Sequence, residues 1–190
     1  MDNKRLIDRK TALRYMRCGA DVPASLTRAL CEVEDELCRV MTPRSVYTVV
    51  PICDADAILS GEDVRRHLDG CERAVVLAAT LGSAVDELIR KYQSTDVLRA
   101  MIADAEASAA IDVLCDEACR TISVRTGEDL TPRFSPGYGD WPLSSQSALL
   151  DFVDAGRKIG LFVTGSDMMT PIKSVTAVAG LIRKGLDNGS

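Results

Sequence analysis

The sequence predicts an α+β fold in which a twisted mixed or antiparallel sheet packs against one long central helix, with a helical segment at the N-terminus. The long helix is indicated by an apolar periodicity of three and four residues from about Asp96 to Ser123. Segments 45–52 and 74–80 have the patterns of strands. Hydrophobic residues make up 46% of the chain but aromatic residues only 4%, so an aliphatic, close-packed core is expected.

The 190 residues are enough for one structural unit with a sizeable core. Within it we expect an N-terminal helical segment over residues 1–42 and the main domain over 43–190. Apolar residues between charges predict a first helix over 4–17. Pro23 then precedes a second helix over 25–41, one face of which is apolar.

The next elements alternate between strand and helix patterns. Residues 45–52 alternate with a period of two, which is typical of a strand. Ser60 and Asp63 resemble a capping box that begins a short helix ending by Gly70. The continuous apolar run at 74–80 is typical of a strand buried on both faces.

Two helices follow the second strand. Ser83 is expected to cap the first, which runs to about Tyr92. Thr95 or Asp96 caps the long helix, which at about 1.5 Å per residue should be roughly 40 Å long. Its apolar side is predicted to include Leu98, Met101, Ile102, Ala105 and Ala109.

The C-terminal third contains one more helix and two more strands. Ser144 or Ser145 begins a helix through about Arg157, which Gly160 ends. Residues 161–164 and 173–181 are predicted as two strands joined by a turn at 168–171. The last residues, 187–190, are expected to fray.

Between the long helix and this region lies a loop, residues 133–142, that gathers two prolines, two glycines and the only Trp. Pro136 and Gly137 suit the second and third positions of a tight turn. Backbone groups left unpaired in such a loop need partners, of which a bound polar ligand is one. Arg133 offers a planar fork for a carboxylate. The alternative is a structural turn beside a solvated arginine.

Charge, cysteines and histidine exclude several classes of function. The 23 basic and 28 acidic residues give a net charge of −5 without a basic run, so nucleic acid and anionic membranes are poor partners. The seven cysteines form no Cys-x-x-Cys pair and the chain has one histidine, His67, which argues against a zinc or iron–sulfur site. Without a secretory signal, we expect a cytoplasmic protein with reduced thiols, mostly packed in the core, Cys31 and Cys38 included. His67 is expected to be solvated or bonded to a neighbour.

Several motifs resemble one known family. Arg-x-x-Pro-Gly-Tyr at 133–138, followed by Gly-Asp-Trp-Pro, is similar to the loop of the activation (reactivation) domain of cobalamin-dependent methionine synthase. Downstream, the same order is kept by Leu149-Leu150-Asp151, Lys158-Ile159-Gly160 and the Thr164, Ser166, Met169, Pro171, Ser174 and Val175 pattern. Upstream, Leu13-Arg14-Tyr15 and Ala78-Ala79-Thr80-Leu81-Gly82 resemble free-standing short forms of that domain.

The resemblance implies a binding site for S-adenosylmethionine on the loop. Arg133 would pair with the ligand carboxylate, Ser135 would meet the ligand with its backbone, and Pro136 and Gly137 would belong to the same cofactor-binding loop. Tyr138 would supply a ring near the adenosine or the sulfonium, although it could instead pack under its own turn. The family binds the ligand ammonium with acidic residues outside the motif, for which Glu128 and Asp129 are nearby candidates.

The implied function is activation of a separate protein. The module would support reductive methylation of a partner's cobalamin, carried by a methionine synthase or another corrinoid protein, with a flavodoxin-like or ferredoxin-like electron donor. No nucleophile of the chain would take part, and catalysis would come from positioning. Asp112 and Asp116, one turn apart on the long helix, could suggest paired acids, but a solvated face is the simpler interpretation.

Two other functions compete with this one. The chain could be a docking or scaffold protein for a corrinoid partner, in which the loop is purely structural. It could also be an ordinary methyltransferase with a small-molecule acceptor. The sequence has no Gly-rich loop between a strand and a helix followed by an acidic ribose ligand, which argues against the latter.

Overall fold

The computed structural model describes residues 3–19 and 22–183. Its strands are β1 (Arg44–Pro51), β2 (Arg73–Thr80), β3 (Glu128–Leu130), β4 (Phe162–Val163), β5 (Met169–Thr170) and β6 (Ser174–Arg183). Four of them form an antiparallel sheet in the order β1-β2-β6-β3. The helices are α1 (Arg9–Tyr15), α2 (Ala24–Val40), α3 (Ile52–Ala55), α4 (Glu62–His67), α5 (Ser83–Thr95), α6 (Val97–Thr126), α7 (Ser145–Val153) and α8 (Ala155–Ile159). The predicted α+β class is confirmed.

Helices cover both faces of the sheet. On one face, Val75 and Leu77 of β2 join a core with α2, α5 and α6. On the other face, Ala74 and Val76 join a second core with α4, α7 and α8. β2 is buried from Ala74 to Thr80, because its successive side chains enter the two cores in turn. The prediction of a strand buried on both faces is confirmed.

The long helix is α6, which has 30 residues and is therefore about 45 Å long. The Asp96 carboxylate caps it by accepting a hydrogen bond from the Arg99 amide, as predicted. Leu98 and Met101 were expected on its buried side, but they are 47% and 53% exposed. Ile102, Ala105 and Ala109 are buried as predicted, and Ala100 and Ala103 take the other buried positions.

Two predicted helices are each interrupted. The first consists of a short 3-10 helix, Asn3–Leu6, and then α1, which begins where Asp8 accepts a hydrogen bond from the Thr11 amide. The helix predicted over 144–157 breaks at Asp154, whose φ of +58° is left-handed, and so becomes α7 and α8. Gly160, with φ of +69°, ends α8 as predicted.

Smaller corrections concern strands and caps. The two strands expected at 161–164 and 173–181 do not pair, because β6 already has β2 on one edge and β3 on the other. β4 pairs with β5 instead, across a turn at residues 164–168. Gly82, not Ser83, is the N-cap residue of α5. The expectation for residues 187–190 lies outside the described residues.

All seven cysteines are free thiols, but most of them are not in the core. Only Cys115 is buried, so the prediction of mainly core cysteines is wrong. Cys31 is exposed, with its sulfur 3.3 Å from Nη2 of Arg9 on the neighbouring helix, whereas Cys38 packs partly buried against the core.

Residues 3–19 and 22–183 contain no helix with the length and apolarity to span a membrane. In the same part of the chain, no group of three or more His, Cys, Asp or Glu side chains is arranged to hold a metal ion.

Candidate ligand-binding site

The residues before the loop continue past β3 along the same edge of β6. The Thr131 amide donates to the Gly180 carbonyl at 2.9 Å, and Phe134 and Val178 exchange two backbone hydrogen bonds of 2.9 and 2.8 Å. Side chains alternate along such an extended segment. Arg133 therefore lies on the α6 side of the sheet, and Phe134 lies on the side of α4 and α7.

The predicted turn is present at the centre of the loop. The Tyr138 amide donates to the Ser135 carbonyl at 3.2 Å, and Gly137 has the positive φ, +91°, that the third position requires. The Gly137 amide donates to the Trp141 carbonyl at 2.8 Å, and the Trp141 amide donates back to the Tyr138 carbonyl at 3.1 Å. These backbone groups are therefore satisfied inside the loop and need no ligand.

Helix α4 holds the far side of the loop. The Asp140 carboxylate accepts hydrogen bonds from the amides of Glu62 and Asp63 at 2.7 and 3.0 Å, and Asp63 accepts one from the Asp140 amide at 3.2 Å. The amides of Asp63 and Glu62 hold the pKa of Asp140 below its usual value. Ser60 was expected to cap this helix, but Asp140 takes that role, and the Ser60 hydroxyl contacts Ser145 at 2.9 Å.

Aromatic side chains of the loop and of α4 pack together and support the loop. Trp141 is 1% exposed, and its Nε1 donates to the Ile58 carbonyl at 3.3 Å. Phe134 stacks between Trp141 and His67, with ring centroids 6.1 and 5.1 Å away. Nε2 of His67 lies 2.7 Å from the Pro132 carbonyl, so the expectation that a neighbour satisfies this histidine is confirmed.

A cavity of about 500 Å³ opens between the loop and α6. Of the predicted site residues, Arg133, Ser135 and Tyr138 line it, whereas Pro136 and Gly137 form the turn without lining it. Tyr138 is 65% exposed and is therefore not packed under its own turn. The other lining residues are Asp112, Asp116, Pro132, Phe134 and Val175.

Arg133 is not the solvated side chain of the alternative interpretation. Its side chain is 24% exposed, and its guanidinium forms an ion pair with Asp116 of α6. Asp112, one turn earlier, accepts a hydrogen bond of 2.5 Å from the Tyr15 hydroxyl of α1. The two acids are therefore more than a solvated face, because each binds a side chain from a distant segment. The cavity therefore combines one guanidinium with two carboxylates.

The acidic candidates named for the ligand ammonium lie elsewhere. Glu128 is opposite Arg183 at the end of β6 and forms an ion pair with Arg73. The cavity reaches β6 at Val175, eight residues away, or about 27 Å along a strand. Neither Glu128 nor Asp129 lines the cavity. Asp112 and Asp116 could have been favoured because their spacing of four places both on one helix face.

Tyr15 is the contact at this site that the sequence did not predict. It lies in the Leu13-Arg14-Tyr15 motif, but 97 residues separate it from Asp112. No local pattern reports a contact over such a separation. The tertiary packing of α1 on α6 brings the two residues together.

The site and fold define an α+β domain with an antiparallel sheet, a long helix and a loop-bounded polar cavity. No family model matches the sequence, and no curated protein matches it. Among solved structures, the chain is similar to the MetH reactivation domain bound to AdoHcy, with a TM-score of 0.69. The match covers 94% of this chain and 74% of that chain at 12% sequence identity, so what the two share is the fold.

Proposed function

We propose that this chain is an activation module that binds S-adenosylmethionine and supports reductive methylation of the corrinoid cofactor of a separate protein. The partner would be a cobalamin-dependent methionine synthase or a related corrinoid methyltransferase, served in the cytoplasm by a flavodoxin-like or ferredoxin-like electron donor. The observation that carries the proposal is the loop motif at 133–142, which lines a cavity in a fold like that of the MetH reactivation domain bound to AdoHcy.

The cavity fits the proposed ligand in size and charge. Its volume of about 500 Å³ is within the range of small-molecule sites. Arg133 would bind the carboxylate of the amino-acid tail with its planar fork. Asp112 and Asp116, rather than Glu128 or Asp129, would accept hydrogen bonds from the ammonium, and the exposed ring of Tyr138 would contact the adenosine or the sulfonium.

When bound, S-adenosylmethionine supplies an activated methyl group. The residues of this chain would orient that ligand toward the partner and exclude water from one side of it, so their contribution would be positioning. The Asp63 and Asp140 hydrogen bonds and the buried Trp141 keep the loop in one geometry before any ligand arrives. Such preorganisation lowers the entropic cost of binding.

One observation favours the second candidate, a docking or scaffold protein without a ligand. Arg133 already has a carboxylate partner, Asp116, within the chain. A ligand carboxylate would have to share the guanidinium or replace Asp116, which would weaken binding. In the scaffold function, the ion pair would simply join the loop to α6.

Isothermal titration calorimetry with S-adenosylmethionine and an Arg133→Ala variant distinguishes the two functions. If Arg133 binds the ligand carboxylate, the substitution removes charge-assisted hydrogen bonds and costs roughly 2–4 kcal/mol, about 30- to 1000-fold in affinity. Arg133→Lys should restore only part of the affinity, because an ammonium cannot form the two parallel bonds. If the wild-type protein binds no S-adenosylmethionine, the activation function is excluded and the scaffold function remains.

Two controls make the loss specific. Methylthioadenosine lacks the amino-acid tail, so its affinity should hardly respond to Arg133→Ala, and an equal loss for both ligands would mean that the loop had collapsed. Arg157→Ala also removes an arginine paired with a carboxylate, that of Asp154, but Arg157 does not line the cavity. This matched variant should bind both ligands like wild type.

A further inference from the structure

Glu106 is a fully buried carboxyl group where α1 and α2 pack against α6. Its side chain is 0% exposed, and neither oxygen has a hydrogen-bond donor among the described residues. An ionised carboxylate without a donor is strongly unfavourable away from water. Glu106 must therefore be neutral, or it must share a proton with a neighbouring carboxylate.

Charged groups from both neighbouring helices face Glu106. Glu34 of α2 lies close enough to act on it as a like charge and as a hydrogen-bond partner. Arg9 of α1 also faces it, but its Nε and Nη2 each donate to a different oxygen of Glu34 at 2.6 Å. Asp8, the N-cap residue of α1, adds a third carboxylate, which accepts from Thr11. The guanidinium of Arg9 is therefore committed to Glu34.

We propose that Glu106 carries a proton in the folded protein and donates it to Glu34, so that this carboxyl–carboxylate pair beneath Arg9 fastens α1 to α6. Two carboxyl groups side by side can form a hydrogen bond only if one of them is protonated. The shared proton accounts for the absence of any other donor to Glu106 in the described structure. Because the proton stays on Glu106, Glu34 remains a carboxylate, whose oxygens can accept from Arg9 and Glu106 together.

The pH dependence follows from the direction of the pKa change. Burial, and next the like charge of Glu34, raise the pKa of Glu106 to about 8. When α1 opens, water reaches the carboxyl group and its pKa returns to about 4.3. The contribution of the pair is therefore complete below about pH 4, decreases as the pH rises, and is lost by about pH 8. Over this interval, opening should become about tenfold more favourable per pH unit.

This pH dependence extends to the cavity through α1. Arg9 is the first residue of α1 and Tyr15 the last, and Tyr15 donates to Asp112 in the cavity wall. Opening of α1 would withdraw the tyrosine from that wall. The inference concerns the attachment of the helix and does not depend on which ligand the cavity binds.

Hydrogen exchange of the α1 amides, corrected for the intrinsic exchange rates, tests the proposal in wild type and in Glu106→Gln. The glutamine amide can donate to Glu34 at any pH, so it keeps the hydrogen bond without titrating. Between pH 5.5 and 7.5, wild-type protection should fall about 100-fold, whereas protection in Glu106→Gln should stay constant. Equal slopes in the two proteins, or no slope in wild type, would overturn the proposal.

A measurement on wild-type protein alone covers the case in which the variant does not fold. The carboxyl carbon shift of Glu106, followed by NMR, should titrate near pH 8 and remain unchanged through pH 5. A midpoint near about 4.3, the value of an ordinary glutamate, would show that the buried group is ionised at neutral pH and would also overturn the proposal.

Discussion

The loop at 133–142 lines the candidate cavity, and helix α1 contacts its wall through Tyr15 and Asp112; the two segments are attached to the rest of the molecule in different ways. The loop is held by hydrogen bonds between Asp140 and α4 and by the buried ring of Trp141. Helix α1 packs its buried Ala12 on α6, and its Arg9 pairs with Glu34 next to the buried Glu106. The comparison indicates that the loop keeps its geometry over a wide pH range, whereas the attachment of α1 weakens as the pH rises.

The largest effect is expected from Trp141→Ala, which removes the main support of the loop. Trp141 is 1% exposed and stacks on Phe134, so its truncation should cost about 3–5 kcal/mol of unfolding free energy. Equilibrium unfolding in urea measures the loss. Tyr138→Ala is the control from the same loop, and because Tyr138 is 65% exposed it should cost less than about 1 kcal/mol. Similar losses for both variants would mean that the buried Trp141 ring is not the main support of the loop.

A smaller effect is expected at the contact between the loop and α4. A Cβ atom at Gly139 would lie 2.2 Å from Oδ2 of Asp63 and 2.9 Å from its Cβ, and the φ of +55° disfavours other residues. Gly139→Ala should therefore cost about 2–3 kcal/mol, by strain and by separation of Asp63 from Asp140.

Gly127→Ala is the matched control for that substitution. Gly127 also has a positive φ, +73°, but a Cβ atom there would meet nothing within 4 Å. Gly127→Ala should therefore cost only the strain of placing an alanine at a positive φ, about 1 kcal/mol. The difference between the two midpoints of thermal unfolding reports the contact with Asp63, and equal midpoints would contradict the role of that contact.

The features that the sequence predicted are those set by neighbouring residues. The turn at Ser135–Tyr138 follows from its Pro136-Gly137 pair, and the cap of α6 follows from Asp96. The two-sided burial of β2 follows from an uninterrupted apolar run. In each case the required information lies within a few residues.

The features that the sequence did not predict depend on distant partners. Asp140 caps α4 across 78 residues, which displaced the local candidate Ser60. β4 and β6 both have strand patterns, but a pattern does not reveal that both edges of β6 are occupied. The burial of Glu106 also had no signal, because the helix pattern counts apolar residues and an acid between alanines resembles a solvated position.

The smallest effect is expected from Tyr15→Phe, which tests whether α1 and the cavity are connected. The substitution removes only the hydroxyl that donates to Asp112 at 2.5 Å and keeps the ring, which is itself 46% exposed. Hydrogen bonds to a charged acceptor contribute more than neutral ones, but solvent screens this one, so we expect a loss of about 0.5 kcal/mol at pH 7.

The hydrogen bond to Asp112, and to a smaller degree burial, raises the pKa of Tyr15. The contribution is thus present below about pH 10 and is lost as the pH rises through the pKa of the folded state. The unfolding free energies of Tyr15→Phe, Asp112→Asn and the double variant measure this coupling, and a coupling energy of zero at pH 7 would mean that α1 reaches the cavity wall without being joined to it.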